Sequence, residues 1–272
     1  MKVYVCALAK NEHKYINEWV EHYINLGVDK IYIYDNDDKG TKDIYKCIDK
    51  KYSKHLVFVD IRGKHYKNIQ GKCYTEFYSL HKHDFDYCMF CDIDEFLVGI
   101  DNIKDFLSRN YFKSFEQIRV KWKLFGDDGL ITRDMSKGVM ETFKKEITEP
   151  LSKDLQSVCN LHTQGKCIVK GHLNNIVFFS VHYANYSNGN SLYSCLPSGR
   201  VCKSGVEIKE DYLKEQVFLH HYMTKSLSEF VEQKLNRTDA VFAQRQLKLD
   251  YYWRINKKTP EKIKYLKNIG LE

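Results

Sequence analysis

The opening stretch of the chain is almost continuously apolar, and an amphipathic segment follows it. Residues 2–9 (KVYVCALA) have the pattern of a strand that is buried on both faces of a parallel sheet. A helix is predicted to open at Asn11 and to stop at Gly27, because apolar side chains recur between them at helical spacing: Ile16, Trp19, Tyr23 and Leu26. The chain therefore begins with a strand–helix unit.

The same alternation continues to residue 98. Further strands are predicted at residues 30–37 (KIYIYDND), 56–61 (LVFVDI) and 87–98 (YCMFCDIDEFLV), with helices between them at 41–52 and 67–82. Units of about 30 residues indicate right-handed βαβ crossovers and a parallel sheet. Ligands of such sheets bind at the carboxyl ends of the strands. That rule places six polar residues along one rim: Asn11, Glu12, Asp35, Asn36, Asp92 and Asp94.

The second half of the chain has a different rhythm. Strands are predicted at 118–126, 165–171 and 175–183, a loop at 186–200, and helices near 224–247 and after 259. The predicted fold class is therefore α/β, with a Rossmann-like, mostly parallel sheet, helices on both faces and a mixed, loop-rich second half. Residues 1–115 are predicted to bind the nucleotide part of a ligand, and 116–272 to form the other half of the same domain.

Composition favours a globular protein of the cytoplasm. Hydrophobic residues make up 43% of the 272 residues, and no apolar window reaches the roughly 20 residues that span a bilayer. No signal peptide is recognisable at the N-terminus. The nine cysteines are an odd number and several lie in apolar runs, which favours free thiols over a disulfide framework. Cys88 and Cys91 form a CxxC pair, but residues three apart on a strand face opposite sides, which argues against zinc.

The net charge of +7 favours a polyanionic partner. Nucleic acid, an anionic membrane face and a phosphate-bearing substrate all fit, and so does an ordinary solvated surface. A nucleic-acid-binding module with Tyr and Phe as stacking platforms is one hypothesis, but no nucleic-acid-binding motif is present. We therefore expect no nucleic acid. Five lysines near the C-terminus could approach the inner face of an anionic membrane: Lys257, Lys258, Lys262, Lys264 and Lys267.

Asp92 and Asp94 follow the apolar run YCMF, so their carboxylates emerge where a buried strand reaches the rim. Two like charges held together favour a cation between them. Oxygen ligands suit Mg²⁺ or Mn²⁺, which complete their shell with substrate phosphates. Two alternatives stay open. The acidic strand end could cap the next helix, or the protein could be a phosphohydrolase of the HAD type, although the position on the fourth strand argues against that class.

Five blocks occur in a distinctive order. They are residues 10–37, Gln70 with Tyr74, 91–97 (CDIDEFL), 121–130 (KWKLFGDDGL) and 220–234 (HHYMTKSLSEFVEQK). Together they resemble the bacterial glycosyltransferases of the family 2-like and family 92 group. The resemblance covers roughly residues 2–130 and 217–237, while 140–215 match loosely. Asp37-Asp38 depart from the Ser-x-Asp that relatives often carry.

The resemblance implies a GT-A fold, a UDP-sugar donor (often UDP-galactose), Mn²⁺ or Mg²⁺, and inversion at the anomeric carbon. It implies that Ala9 and Glu12 line the uracil pocket and that Asp35 and Asn36 hold uridine. Asp92 would touch the ribose or sugar, and Asp94 would bind the metal. Three further residues are assigned to the donor side: Asn11, Gln70 and Ile93. For Glu12, a good position in the first turn of a helix is an equally open interpretation.

The resemblance also implies that a histidine of the C-terminal half completes the metal shell. His221, in the HY pair that matches the family, is the predicted third ligand with Asp94 and Asp92, and neutral imidazole binds Mn²⁺ well. The alternative is a histidine that is hydrogen-bonded inside the fold. Lys225 is predicted to meet the diphosphate as a point charge, with a solvated helix lysine as its alternative.

An inverting transfer needs a base for the acceptor hydroxyl. The turn FGDDG offers Asp127 and Asp128, with Asp128 preferred, although Asp and Gly also dominate ordinary turns. Trp122 and His182 are the acceptor-site candidates. The predicted function is transfer of a hexose, with galactose favoured, from a UDP-sugar to a glycan or lipid-linked oligosaccharide in surface polysaccharide synthesis.

Overall fold

The computed structural model describes residues 1–147, 164–202, 215–235, 237 and 248–272. Its central strand, β1 (Val3–Ala9), is buried along its whole length, and its alternate side chains enter two separate cores. One set shares a core with α1 (Ile16–Asn25), and the other shares a core with α2 (Ile69–His81). The sheet therefore has a helix on each face, which explains why the β1 sequence is continuously apolar.

Eleven further strands follow β1 in the described ranges, and all of them except β8 and β9, which form a separate two-stranded sheet, extend the central sheet on both sides of β1. They are β2 (Lys30–Asp35), β3 (Leu56–Asp60), β4 (Tyr87–Phe90), β5 (Glu95–Val98), β6 (Gln117–Leu124), β7 (Gly165–Lys170), β8 (Ile176–Ser180), β9 (Tyr183–Tyr186), β10 (Ser194–Cys195), β11 (Val201–Cys202) and β12 (Phe218–His221). Within the described ranges the sheet order is β11-β10-β6-β7-β4-β1-β2-β3, and β12 joins β5 to β6. β7 is antiparallel to both of its neighbours, whereas β3, β2, β1 and β4 are parallel.

This arrangement confirms the predicted α/β class with a mostly parallel sheet, and it is consistent with a GT-A-like fold. The further helices are α3 (Ile103–Leu107), α4 (Val139–Thr142), α5 (Leu227–Gln233), α6 (Leu249–Trp253) and α7 (Pro260–Asn268). Strands from both sides of residue 115 belong to one sheet, and the boundary itself stays a prediction. Residues 236 and 238–247 of the predicted helical region 224–247 lie outside the described residues.

The predicted single strand at residues 87–98 is wrong, because the chain turns between β4 and β5. The side chain of Glu95 accepts the backbone N–H of Asp92 at 2.9 Å, and the Glu95 N–H donates to the Asp92 carbonyl at 3.2 Å. Trp19 and Tyr23 of α1 donate to the Glu95 carbonyl and hold the turn on the sheet. Asp92 and Asp94 therefore lie in a tight turn and do not share one face of a strand.

Four other predicted elements also differ. The strand predicted at 175–183 is the hairpin β8–β9, with His182 in its turn. The helix predicted at 41–52 consists of two 3₁₀ segments, Ile44–Cys47 and Lys50–His55. The first helix begins at Ile16 and not at Asn11, whose left-handed backbone, with φ 58°, is incompatible with a helix. The loop predicted at 186–200 contains the short strand β10.

Cys88 and Cys91 lie in different cores, as their spacing predicts, and both are free and buried. Among the described helices, none has the length and apolar character needed to cross a bilayer.

Gly165, at the start of β7, lies where β6 and β7 are closely packed against each other. A Cβ at this position would lie 1.9 Å from the carbonyl oxygen of Val120, so the two strands would have to separate. We expect Gly165→Ala to lower the free energy of unfolding by about 2 kcal/mol or more, measured by urea denaturation. Gly189→Ala is the control, since its Cβ would meet nothing and only its left-handed φ of 85° opposes alanine, at about 1 kcal/mol. Equal losses in the two variants would contradict the prediction.

Candidate functional site

Asp94 is a nearly buried carboxylate that faces two basic side chains. Lys234 Nζ lies 2.5 Å from Oδ2 of Asp94, and His221 Nε2 lies 3.4 Å from Oδ1. Burial alone would raise the pKa of Asp94, but Lys234 and His221 hold it well below its usual value. Asp94 is therefore kept as a buried anion at neutral pH.

The two partners of Asp94 are positioned by β12 and α5. The register of β5 and β12 sets His221 opposite Glu95, directly beside Asp94. Ser226 and Glu229 form a capping box that starts α5, and Arg133 also binds Glu229, at 2.9 Å. Leu227 and Phe230 form a buried stripe of α5, and Lys234, the residue directly after this helix, continues the stripe at helical spacing. Lys234 therefore points inward with the apolar side chains.

Asp92 is more exposed than Asp94 and has its own lysine. Lys166 Nζ lies 2.9 Å from Asp92 Oδ2 and 4.0 Å from Glu95 Oε1, while the Gln70 amide donates to Asp92 Oδ1. Lys166 is fully buried. Burial acts to lower the pKa of Lys166, but Asp92 and Glu95 raise it above its usual value. Lys166 is therefore a fixed cation between two carboxyl groups.

Glu12 and Lys225 form a third buried charge pair. Lys225 Nζ lies 3.7 Å from Glu12 Oε2 and 3.9 Å from the centre of the Tyr15 ring. Arg237 lies 3.4 Å from the other Glu12 oxygen. Burial lowers the pKa of Lys225, and Glu12 opposes that effect. Because Lys225 is buried, its interpretation as a solvated lysine is wrong.

The acceptor candidates, Trp122 and His182, lie beside His221 and Lys166. The Trp122 ring is 5.2 Å from the His182 ring and 4.5 Å from the His221 ring, centre to centre. His182 Nδ1 bonds to the Gly165 carbonyl at 2.9 Å. Burial and then the nearby Lys166 lower the pKa of His182 to about 3, so its ring is neutral at physiological pH. An acceptor role for this pair stays a prediction.

We call these ionisable residues the strand-end cluster: Glu12, Asp92, Asp94, Lys166, His221, Lys225 and Lys234. Within the described part of the chain, the buried polar atoms in or beside it that have no hydrogen-bond partner include Glu12 Oε2, Glu95 Oε1, Trp122 Nε1, Lys166 Nζ, His221 Nδ1 and Lys225 Nζ. Buried polar groups are almost always paired in folded proteins. Several unpaired ones at the carboxyl edge of a parallel sheet are typical of a site that binds a polar ligand.

The residues predicted to hold the nucleoside lie at the ends of β1 and β2. Asp35 is buried and accepts the backbone N–H of Asp37 at 3.1 Å. The Asn36 amide donates to the Lys64 carbonyl at 2.7 Å, and its backbone N–H donates to Ala9 at 2.9 Å. These contacts order the strand ends, and the predicted contacts with uridine stay predictions.

Two further donor-side candidates, Asn11 and Ile93, are tied into the protein, and the half-buried Asn11 side chain donates to the Gln233 carbonyl at 3.3 Å. Asn11 donates its backbone N–H to Asp37 at 2.6 Å, in the left-handed conformation. The side chain of Ile93 lies in the hydrophobic core. Only the peptide groups of Ile93 could therefore face a ligand.

The two base candidates differ in their surroundings. Asp127 is buried and is held by Lys262 and Tyr252. Its backbone N–H donates to Asn256 at 2.7 Å. Asp128 is partly exposed, and its Oδ2 accepts the backbone N–H of Lys144 at 2.8 Å. Their turn borders the strand-end cluster, because the N–H of Phe125 donates to the His221 carbonyl.

The predicted divalent ion meets an unfavourable donor set. Asp94 and His221 are close enough to be neighbouring ligands, but a lysine ammonium is paired with each of Asp92 and Asp94. In the described residues, no group of three or more His, Cys, Asp or Glu side chains converges as a metal site would require. The side chains present therefore do not fit the predicted Asp92–Asp94–His221 site, and metal dependence itself stays untested.

Lys166 and Lys234 are the site residues that the sequence analysis missed. Both carried a signal, because each is a lysine at a position where the pattern requires an apolar residue. Lys166 interrupts the buried strand GKCIVK, and Lys234 continues the apolar stripe of α5. Charged residues are seldom buried unless they are paired, so such positions point to a buried carboxylate partner.

Comparison with known proteins adds little to this geometry. No family model matches the chain, and no curated protein matches it. Membership in the family 2-like and family 92 group is therefore unsupported. Among solved structures, the crystal structure of S. aureus TarS matches with 17% identity and a TM-score of 0.36. The match covers 62% of this chain and 28% of the TarS chain. So weak a likeness carries no argument about function.

Proposed function

We propose that this protein is a glycosyltransferase that binds a nucleotide-sugar donor at the carboxyl ends of β1, β2 and β4. The observation that carries the proposal is the strand-end cluster, where buried charges with unpaired polar atoms meet at the ligand-binding edge of a parallel sheet. The ordered sequence motifs that surround the cluster support the same function.

The proposed reaction replaces one bond at the anomeric carbon of the donor sugar. An acceptor hydroxyl forms a bond to this carbon as the bond to the diphosphate oxygen breaks, and the electron pair leaves with the diphosphate. The cationic side chains of the strand-end cluster stabilise the charge that develops there. The hydroxyl proton passes to a base. Asp128 is our choice, because Asp127 is already bound by a buried lysine and a tyrosine.

The finer assignments come from the sequence motifs. We propose UDP as the nucleotide, a hexose as the sugar with galactose to be tested first, and inversion of configuration. The acceptor would be a glycan or lipid-linked oligosaccharide close to the Trp122–His182 pair. The lysines near the C-terminus could face an anionic membrane, except Lys262, which is buried against Asp127.

Calorimetric titration with UDP, GDP, CDP and dTDP, followed by turnover assays with the sugars of the nucleotide that binds, tests the proposal. We expect UDP to bind most tightly and at least one UDP-sugar to be hydrolysed or transferred. If none of the four nucleotides binds, the proposal is wrong.

Asp35 allows a sharper test of nucleoside recognition. A buried carboxylate that binds ribose hydroxyls or a base N–H contributes about 1.5–3 kcal/mol, so we expect Asp35→Asn to weaken UDP binding about tenfold or more. Asp60→Asn is the matched control, because Asp60 pairs with Asp35 in the register of β2 and β3 but is exposed. UDP affinity that is unchanged in Asp35→Asn would remove Asp35 from the donor site.

A further inference from the structure

We propose that the ammonium groups of Lys225 and Lys234 bind the diphosphate of the donor in the place that a divalent ion would take. The inference rests on the proposed function and goes beyond it, because it names the groups that stabilise the leaving diphosphate. It starts from the mismatch between the predicted metal site and the side chains that are present.

Lys225 is a buried cation whose partners leave its donors free. Among the described residues Lys225 Nζ has no hydrogen-bond partner, and its contacts are Glu12 Oε2 at 3.7 Å and the face of the Tyr15 ring at 3.9 Å. An ammonium carries three N–H donors, and burial without acceptors is costly. A phosphate oxygen would supply the acceptors that the protein does not.

The backbone of Lys225 is also held in an unfavourable conformation. Its φ is 56°, in the left-handed region that residues with a Cβ seldom adopt, at a cost of order 1 kcal/mol. Such strain persists only where the surroundings fix it, and it occurs often at ligand sites. The capping box of Ser226 and Glu229 fixes Ser226, the residue that follows Lys225. The left-handed conformation of Lys225 is therefore held in place at the start of α5, on the side of the strand-end cluster.

The local charge balance favours an anion. Lys225, Lys234 and Arg237 face two carboxylates, Glu12 and Asp94, which leaves one positive charge uncompensated. Lys166 does not add to this excess, because it lies between Asp92 and Glu95. The excess is therefore confined to the side where β12 and α5 meet the rim.

Asp94 then acts as a positioning residue. It holds Lys234 Nζ at 2.5 Å, and a second contact, to the Met223 carbonyl at 2.6 Å, fixes the direction of the ammonium. One Lys234 N–H stays available, since an ammonium has three. Lysine binds phosphate as a point charge and needs no particular coordination geometry.

The affinities of UDP and uridine, each measured in EDTA and in Mn²⁺, test this inference. Calorimetry gives the dissociation constant of UDP, and ligand-observed NMR gives that of uridine. We expect wild-type protein to bind UDP in EDTA within about threefold of its affinity in Mn²⁺. We expect Lys225→Met and Lys234→Met to weaken UDP about 10- to 100-fold and to leave uridine unchanged, as removal of a charge-assisted contact predicts.

The controls separate loss of binding from loss of folding. Lys14→Met removes an exposed lysine that pairs with Glu232 of α5, and UDP affinity should not change. Lys234→Met leaves Asp94 buried without its lysine, so Asp94→Asn/Lys234→Met is the companion variant if the single variant unfolds. Tight UDP binding only in Mn²⁺, or UDP affinity unchanged in Lys225→Met, overturns the inference while the proposed function stands. Failure of both UDP and uridine to bind in either condition overturns both proposals.

Discussion

Replacement of Asp94 with alanine is expected to lower the free energy of unfolding by about 3–5 kcal/mol and to abolish detectable turnover of nucleotide sugars. The loss of stability follows from Lys234, whose ammonium is buried and would lose the anion that stabilises it. The loss of activity, at least about 100-fold, follows because Lys234 and His221 would no longer be held against the reacting groups. Urea denaturation and a coupled assay for released UDP measure the two effects.

The double variant Asp94→Ala/Lys234→Met separates these two consequences. It removes both charges, so most of the lost stability should return, whereas activity should stay absent. Glu141→Ala is the matched control, since it removes a carboxylate from the short helix α4, outside the cluster. If Asp94→Ala keeps wild-type stability, Asp94 and Lys234 do not form the buried pair that carries the argument.

The strand-end cluster combines two lysine–aspartate pairs with different tasks. Lys166 is enclosed by Asp92 and Glu95, and together with the turn it fixes the end of β4. Lys234 belongs to a group with surplus positive charge and is therefore the one suited to an anion. The acidic motif thus positions cations rather than forming a bare carboxylate pair.

The parallel sheet could be predicted from the sequence because the hydrophobic pattern is strong where strands are buried on both faces. β1 and β4 carry almost no polar residue, so the apolar run alone identifies them. The rim position of Asp35, Asp92 and Asp94 followed from the same pattern, since the acids come where each apolar run stops.

The turn and the lysine partners could not be predicted, because they depend on contacts between distant parts of the chain. The break after Phe90 is fixed by Glu95 and by Trp19. Trp19 donates to the Glu95 carbonyl although the two residues are 76 positions apart in sequence. Lys234 is 140 residues from Asp94, and only the antiparallel pairing of β5 with β12 brings α5 to that carboxylate. Local propensity contains no information about such pairs.

Asp127 is expected to contribute more to stability than to chemistry, so that Asp127→Ala loses about 3–5 kcal/mol of unfolding free energy while the molecules that stay folded retain activity. Its carboxylate binds Lys262 of α7 and Tyr252 of α6, and Gly129 donates to it at 2.8 Å. Loss of the carboxylate leaves the Lys262 ammonium buried without an anion and loosens both C-terminal helices from the FGDDG turn.

Asp128→Asn is the matched comparison at the neighbouring position, and it should show the opposite pattern. Its carboxylate accepts backbone N–H groups of Lys144 and Lys145, which the asparagine oxygen can still accept in part, so stability should fall by about 1 kcal/mol or less. A base that takes the acceptor proton contributes about 10²–10⁴-fold, so kcat for transfer should fall by that factor while UDP affinity is unchanged. A large loss of kcat in stable Asp127→Asn protein, with full activity in Asp128→Asn, would reverse the assignment: the base would then be the buried aspartate, and Lys262 and Tyr252 would be the groups that tune it.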